Sequence, residues 1–142
     1  RSSRIFFKIM EFLYGYQDVA LLILRLALGL IFLVHGLPKL MNLKKTGESF
    51  AAMGFRPGML WGTIVAIAES LGGLSVALGW YTQWGALAIA AVMFVALVWK
   101  MGRGQGLAGG FELDLILLAV AIFLITSPIG GYYSLDYYLL PK

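Results

Sequence analysis

The stretch of residues 19–37, VALLILRLALGLIFLVHGL, decides the fold. Its only ionisable side chains are one arginine and one histidine. At 1.5 Å per residue it is near the length that a helix needs to cross about 30 Å of hydrocarbon. Three similar stretches follow at residues 60–78, 84–99 and 111–127. Within lipid only a helix pairs its backbone polar groups inside one segment, and the alternating polar positions of a barrel strand are missing. The sequence therefore predicts four membrane-spanning helices.

The composition also indicates a membrane protein. Of the 142 residues, 61% are apolar and 13% are charged, whereas a soluble domain has about 45–50% and about 25%. So few charges cannot cover a water-facing surface, and no Pro/Ser-rich tract indicates disorder. We therefore predict an all-α fold, an integral membrane four-helix bundle that forms a single domain over residues 1–142. Small residues inside the spans, such as Gly29, Gly36 and Gly73, predict close helix packing.

The cysteine and histidine content limits the chemistry. The chain has no cysteine and a single histidine, His35, which excludes disulfides, thiolate metal sites and iron–sulfur clusters. We therefore expect no metal site and no cofactor bound by this chain alone. The net charge of +4 fits basic loops beside anionic lipid headgroups. No basic–aromatic nucleic-acid motif occurs, so we expect membrane lipids as partners and no nucleic acid.

The N-terminal residues 4–16 have a different pattern. Apolar side chains recur there at helical spacing, at Ile5, Phe6, Ile9, Phe12 and Leu13. This pattern favours a short amphipathic helix that lies in the membrane interface. The alternative is that the segment extends the first span into the headgroup region.

The membrane boundaries and the orientation are predicted from basic and aromatic residues. Side chains expected at the interface are Lys39, Lys100, Trp61, Trp80, Trp84 and Trp99. Four spans place both termini on one side, with four positive residues, and two loops on the other, with six. The positive-inside tendency then places the loops in the cytoplasm and both termini outside.

Two charges lie well inside the predicted spans. A charge near the bilayer centre costs about 2.5–3.5 kcal/mol, so neither should face lipid. Measured from the predicted loop-side ends of their spans, Arg25 lies about 16 Å deep and Glu69 about 13 Å deep. Because the depths match, the sequence predicts an ion pair between Arg25 and Glu69 inside the bundle.

A second polar layer is predicted near the loops. His35 ends the first span, Lys100 ends the third, and Glu112 and Asp114 open the fourth. Helix dipoles alone can explain Lys100 and Glu112. Glu112 and Asp114 lie on different helix faces, so one of them should point into the bundle toward His35 or Arg25.

The candidate buried polar residues are therefore Arg25, His35, Glu69, Glu112 and Asp114. In one interpretation the Arg25–Glu69 pair is a structural lock that fixes which helices pair. In the other, the set lines a small pocket for a quinone headgroup or a lipid, or forms a proton path, because intramembrane ionisable residues are functional candidates.

Several motifs together resemble the DoxX family. They are RLALGLIFLVHGLPKL at residues 25–40, FAAMGF at 50–55, AESLGGL at 68–74 and GGFEL at 109–113. The resemblance implies a small four-helix protein of a prokaryotic cytoplasmic membrane, in a family named after a subunit linked to a quinol oxidase and to thiosulfate oxidation with quinone. It implies Arg25, His35, Glu69 and Glu112 as family-like polar positions.

Three functions follow from these observations. The first is a membrane subunit or anchor of a larger redox or respiratory complex, with other membrane or membrane-associated chains as partners and no catalysis by this chain alone. The second is a quinone- or lipid-binding protein that takes part in quinone reduction. The third is a small-solute or proton-coupled transporter, supported by the mid-membrane Glu69 alone.

Overall fold

The computed structural model describes residues 2–127 and 130–141 and is almost entirely helical, with no strand among those residues. The helices are α1 (Ser2–Tyr14), α2 (Gln17–Met41), α3 (Leu43–Ala52), α4 (Gly58–Leu78), α5 (Thr82–Gly102), α6 (Glu112–Thr126) and α7 (Leu135–Leu139). A kinked turn, Leu107–Phe111, leads into α6.

Four segments are long and apolar enough to cross a membrane: α2, α4, α5 and Leu107–Thr126. The predicted all-α fold with four spans is therefore confirmed. The spans pack in chain order, α2 on α4, α4 on α5 and α5 on α6, whereas α2 and α6 barely touch. The core between them is built from apolar side chains that include Leu28, Phe32, Val76, Ile89 and Leu124.

Glycines allow the closest helix contacts. A Cβ placed on Gly29 of α2 would lie 2.6 Å from the carbonyl oxygen of Gly73 on α4, and one on Gly36 would lie 2.7 Å from the Ser70 hydroxyl. Neither atom could stay in place beside a methyl group. The α2–α4 interface therefore depends on the small residues that the sequence places inside the spans.

The first span is longer than predicted at both ends. Helix α2 begins at Gln17 and continues through Pro38 to Met41 instead of ending at residue 37. The carbonyl groups exposed at this helix end are partly satisfied by Thr46, whose hydroxyl donates to the oxygens of Lys39 (3.0 Å) and Asn42 (2.9 Å). The following residues, expected to form a loop, fold into α3, which packs against α4.

The helix predicted at the N-terminus is present as α1, and none of its residues is buried. Most of its apolar side chains are about half exposed or more, for example Ile9 at 53% and Phe12 at 64%. The bundle therefore leaves this apolar face available, as an interfacial helix requires. That it lies flat in the interface stays a prediction.

Candidate functional site

The Arg25 side chain lies inside the bundle, 1% exposed, and is held by backbone carbonyl groups. Its guanidinium donates to the oxygens of Val76 (3.1 Å) and Ala77 (3.3 Å) at the end of α4. It also donates to Tyr133 O (3.0 Å) and to Gly130 O in the C-terminal segment. The last carbonyls of a helix lack partners within the helix and carry its negative dipole end. Arg25 therefore joins the end of α4 to the C-terminal segment.

Asp136 completes this arrangement. Its carboxylate accepts from the backbone N–H groups of Tyr81 (2.6 Å) and Thr82 (2.9 Å) and from the Thr82 hydroxyl (2.7 Å). These groups begin α5, whose N-terminus favours a negative charge. The Asp136 N–H donates to Gly79 O at 2.7 Å, and its carboxylate attracts the Arg25 guanidinium. We call Arg25, Asp136 and their backbone partners the Arg25 centre.

The predicted ion pair between Arg25 and Glu69 is wrong. The error lies in the end of the first span, because α2 runs on to Met41. Sixteen residues separate Arg25 from Met41, about 24 Å, whereas eleven separate Glu69 from Gly58, about 16 Å. Arg25 therefore lies too far from the loop face to meet Glu69 and reaches the opposite face instead.

Glu69 pairs with Lys39. The Lys39 ammonium lies 2.8 Å from Oε1 and 2.6 Å from Oε2 of Glu69. The Glu69 side chain is 5% exposed and that of Lys39 is 33% exposed. Long helical side chains point toward the N-terminus of their helix, which here directs Lys39 into the membrane. Lys39 therefore neutralises the mid-span carboxylate, and that it lies at the membrane interface stays a prediction.

Two further polar groups accompany this pair. The Ser70 hydroxyl is buried and has no hydrogen-bond partner among the described residues. His35 lies one helical turn before Lys39, is exposed, and makes no hydrogen bond or ion pair within residues 2–127 and 130–141. The prediction that His35 is buried is therefore wrong. We call Lys39, Glu69, Ser70 and His35 the Lys39 cluster.

A second ion pair links α5 to α6. The Lys100 ammonium lies 2.6 Å from Oδ2 of Asp114, whose side chain is 10% exposed. Glu112 is exposed and accepts from the Gly109 N–H at 3.1 Å. One of the two acidic residues therefore points into the bundle, as predicted, but its partner is Lys100 rather than His35 or Arg25. The prediction that Glu112 is buried is wrong.

The aromatic residues predicted at the interface are on the surface or close to it. Trp61, Trp80 and Trp84 are exposed. Trp99 is half-buried, and its indole N–H donates to Met53 O at 3.1 Å. Their depth in a bilayer stays a prediction. In the C-terminal segment, hydrogen bonding with Tyr132 raises the pKa of Tyr138 above its ordinary value.

The bundle holds its buried charged side chains in separate places instead of bringing them together in one site. The Arg25 centre lies at one face of the bundle, and the Lys39–Glu69 and Lys100–Asp114 pairs lie toward the other. Among residues 2–127 and 130–141, no group of three His, Asp or Glu side chains could hold a metal ion. Sequence reasoning missed Asp136, whose only signal is an acidic side chain within the aromatic C-terminal segment.

Four apolar spans and three internally neutralised charge centres define a small multi-pass membrane protein. The sequence profile of the DoxX family matches residues 20–102, more than half of the chain, so the chain belongs to the DoxX family. This confirms the family that the motifs indicated.

Two curated relatives are similar to the chain. One is named "Putative oxidoreductase CatD", from Bacillus subtilis (strain 168), and is 29% identical over 110 residues, which cover 78% of this chain and 80% of the relative. The other is "Inner membrane protein YphA" from Escherichia coli (strain K12), 35% identical over 67 residues, which cover 47% of this chain and 48% of the relative. No solved structure matches the chain.

Proposed function

We propose that the chain is a small integral membrane subunit that anchors a larger redox assembly in the cytoplasmic membrane of a prokaryote. One observation carries this proposal: the buried charges of Arg25, Glu69 and Asp114 are neutralised inside the chain. Such pairing stabilises a scaffold, and it leaves these buried acidic and basic side chains engaged with partners of the same chain. The name of the Bacillus subtilis relative supports the redox setting.

Two clefts of the described residues lie away from the ion pairs. One, lined by Thr82, Trp84 and Asp136 among others, measures about 140 Å³. Another, beside Phe94 and Trp99, measures about 280 Å³. Neither cleft is lined by the Lys39–Glu69 or the Lys100–Asp114 pair.

The surfaces that remain for a partner are α1 and the open side between α2 and α6. Helix α1 has no buried residue, and α2 barely contacts α6. We also propose that the loops lie in the cytoplasm and both termini outside. A soluble redox partner on the loop side would then meet α3 and the residues before α6.

Purification from native membranes in mild detergent tests the subunit proposal. We expect further chains to copurify with a tagged version. Recovery of the tagged chain as a single species, with no other chain enriched over an untagged membrane, would overturn the proposal.

The Lys39 cluster favours a second candidate, a quinone-binding protein. The Lys39 ammonium has three donors, and Glu69 is the only described residue that it contacts by hydrogen bonds. The third N–H and the Ser70 hydroxyl therefore lack acceptors at a depth where water is scarce. A quinone carbonyl is a neutral, lipid-soluble acceptor that could reach the exposed side of Lys39 from the bilayer.

Native mass spectrometry separates this candidate from the first. If a quinone binds the cluster, Lys39→Met should release it while the bundle remains folded, because the donor is lost but the volume is kept. Glu112→Gln, an exposed site outside the cluster, is the matched control and should retain the quinone. Equal quinone retention in the wild type and in Lys39→Met would exclude the candidate.

A further inference from the structure

An apolar groove lies on the outer side of α5. Its walls are Phe94, Val95 and Val98 on α5, closed at the loop end by Phe55 and Trp99. Phe94, Val95 and Val98 are 58%, 49% and 51% exposed. They lie on a helix that is long and apolar enough to cross a membrane, where lipid acyl chains would surround them. The groove has a volume of about 280 Å³ and an almost entirely apolar lining.

The loop end of the groove is fixed in place by one carbonyl group. Met53 O accepts from the Trp99 indole N–H at 3.1 Å and from the Arg103 guanidinium at 3.3 Å. These two bonds tie the corner after α3 to the end of α5. The corner therefore presents Phe55 as a wall of the groove, and the groove is part of the fold rather than a chance gap between loose side chains.

A positive charge lies directly above the apolar walls. The Arg103 guanidinium carbon lies 4.7 Å from the centroid of the Trp99 ring, a cation–π distance. Arginine has five N–H donors, and its only hydrogen-bond acceptor among the described residues is Met53 O. The remaining donors are available to a ligand at the membrane surface, where the side chain is exposed.

The geometry matches an amphiphile with a negative head. Val95 lies on α5 and Arg103 directly follows the helix, eight residues further along, about 12 Å along the helix axis. One leaflet of hydrocarbon is about 15 Å thick, half of the 30 Å core. A head bound at Arg103 would thus place its chain along Val98 and Val95 within a single leaflet.

We propose that this groove, lined by Phe55, Phe94, Val95, Val98 and Trp99 with Arg103 at its rim, is a binding site for one anionic phospholipid. The acyl chain lies along the apolar walls, and the phosphate accepts hydrogen bonds from the free N–H groups of Arg103. Guanidinium groups bind phosphate with two parallel hydrogen bonds, which favours a fixed head position over loose attraction. The site is distinct from the Lys39 cluster and does not depend on a partner chain.

Native mass spectrometry of the intact protein in nanodiscs with equal amounts of phosphatidylglycerol and phosphatidylcholine tests the site. We expect the wild type to retain phosphatidylglycerol in preference, and Arg103→Gln to lower the ratio of retained phosphatidylglycerol to phosphatidylcholine at least fivefold. Arg4→Gln on α1 removes the same charge away from the groove and should leave the ratio unchanged. Equal decreases in the two variants would mean that net charge alone attracts the lipid and would overturn the proposal.

A second pair of variants tests the groove itself. Val95→Trp fills the groove from a side chain that faces lipid, so the fold is kept, and it should reduce retention of both lipids at least fivefold. Val34→Trp makes the same change on the exposed surface of α2 and should retain them. Full lipid retention by Val95→Trp would overturn the site. If this variant keeps its lipids but loses a copurifying protein chain, the groove binds protein rather than lipid, and the proposal is likewise overturned.

Discussion

The two faces of the bundle hold their buried charges in different ways. At the face that carries the C-terminal segment, the Arg25 guanidinium is surrounded by carbonyl oxygens of α4 and of residues 130–133. Toward the loop face, Lys39 and Lys100 each contact a carboxylate on another helix. The first arrangement distributes one charge over backbone dipoles from distant parts of the chain. The second neutralises each charge locally, so that each pair can be disrupted on its own.

The comparison predicts that Arg25→Met lowers the free energy of unfolding more than the other substitutions do. The substitution leaves the carbonyl groups of Val76 and Tyr133 without their donor and Asp136 without a nearby cation. We expect a loss of about 3–5 kcal/mol in the free energy of unfolding, measured in bilayers or detergent, together with faster proteolysis within residues 130–141. Arg4→Met on the exposed α1 should change neither quantity. An Arg25→Met protein whose C-terminal segment is still protected would show that Arg25 does not hold it.

A double-mutant cycle on Lys39 and Glu69 should give the next largest effect. Lys39→Met leaves a buried carboxylate unpaired, and adding Glu69→Gln removes that charge. We therefore expect a coupling energy of about 1–3 kcal/mol between the two sites. The control cycle combines Arg25→Met with Glu69→Gln and should be additive within about 0.5 kcal/mol, because these residues do not meet. A coupling energy in the control cycle as large as in the first cycle would contradict the structure and support the predicted ion pair between Arg25 and Glu69.

Asp136→Asn tests whether the stability of the start of α5 depends on the negative charge of the carboxylate or only on its shape. Asparagine keeps one oxygen acceptor but loses the negative charge at the helix N-terminus. The expected loss of stability is about 1 kcal/mol, with faster amide exchange at Tyr81 and Thr82. Asp18→Asn is the matched control, because Asp18 accepts from the Tyr132 N–H at the same face but does not contact α5. Amide exchange at the start of α5 that is no faster in Asp136→Asn than in Asp18→Asn would contradict the capping role.

The smallest effect is expected for Glu112→Gln. Its exposed carboxylate makes a single hydrogen bond to Gly109 N, so stability should change by less than about 0.5 kcal/mol. Asp114→Asn, two residues further along, leaves Lys100 without its carboxylate and should cost clearly more. Thermal unfolding of the two variants in one detergent compares them. Equal losses of stability in the two variants would mean that the Lys100–Asp114 pair stabilises the bundle no more than an exposed hydrogen bond does.

The sequence alone predicts the number of spans, because each span needs a continuous apolar run of nearly fixed length. The small residues inside the spans also predict close helix packing, but only the structure shows that Gly29, Gly36 and Gly73 lie between α2 and α4. The ends of the helices are harder to predict from the sequence. A proline such as Pro38 normally stops a helix, yet here the helix continues, and Thr46 satisfies carbonyl groups beyond the proline.

The charge pairings could not be predicted for the same reason. A few residues added to α2 shift the depth of every side chain measured from that end, and this shift removes Glu69 from the reach of Arg25. The partners of Arg25 are mostly backbone oxygens, which no side-chain pattern reveals. The pairing of Lys39 with Glu69 was missed because lysine usually extends to the headgroups, whereas here its ammonium contacts a buried carboxylate on the neighbouring span.

The attachment of Arg25 to residues 130–136 has a consequence for biosynthesis. A ribosome makes the first span more than a hundred residues before the segment that neutralises its guanidinium. Until that segment emerges, the nascent α2 carries a cation that lacks part of its carbonyl partners even after α4 has supplied those of Val76 and Ala77, and this disfavours its full entry into hydrocarbon. The first span should therefore stay close to the insertion machinery and settle last, and an arrested or clipped chain should be recognisable by its exposed arginine.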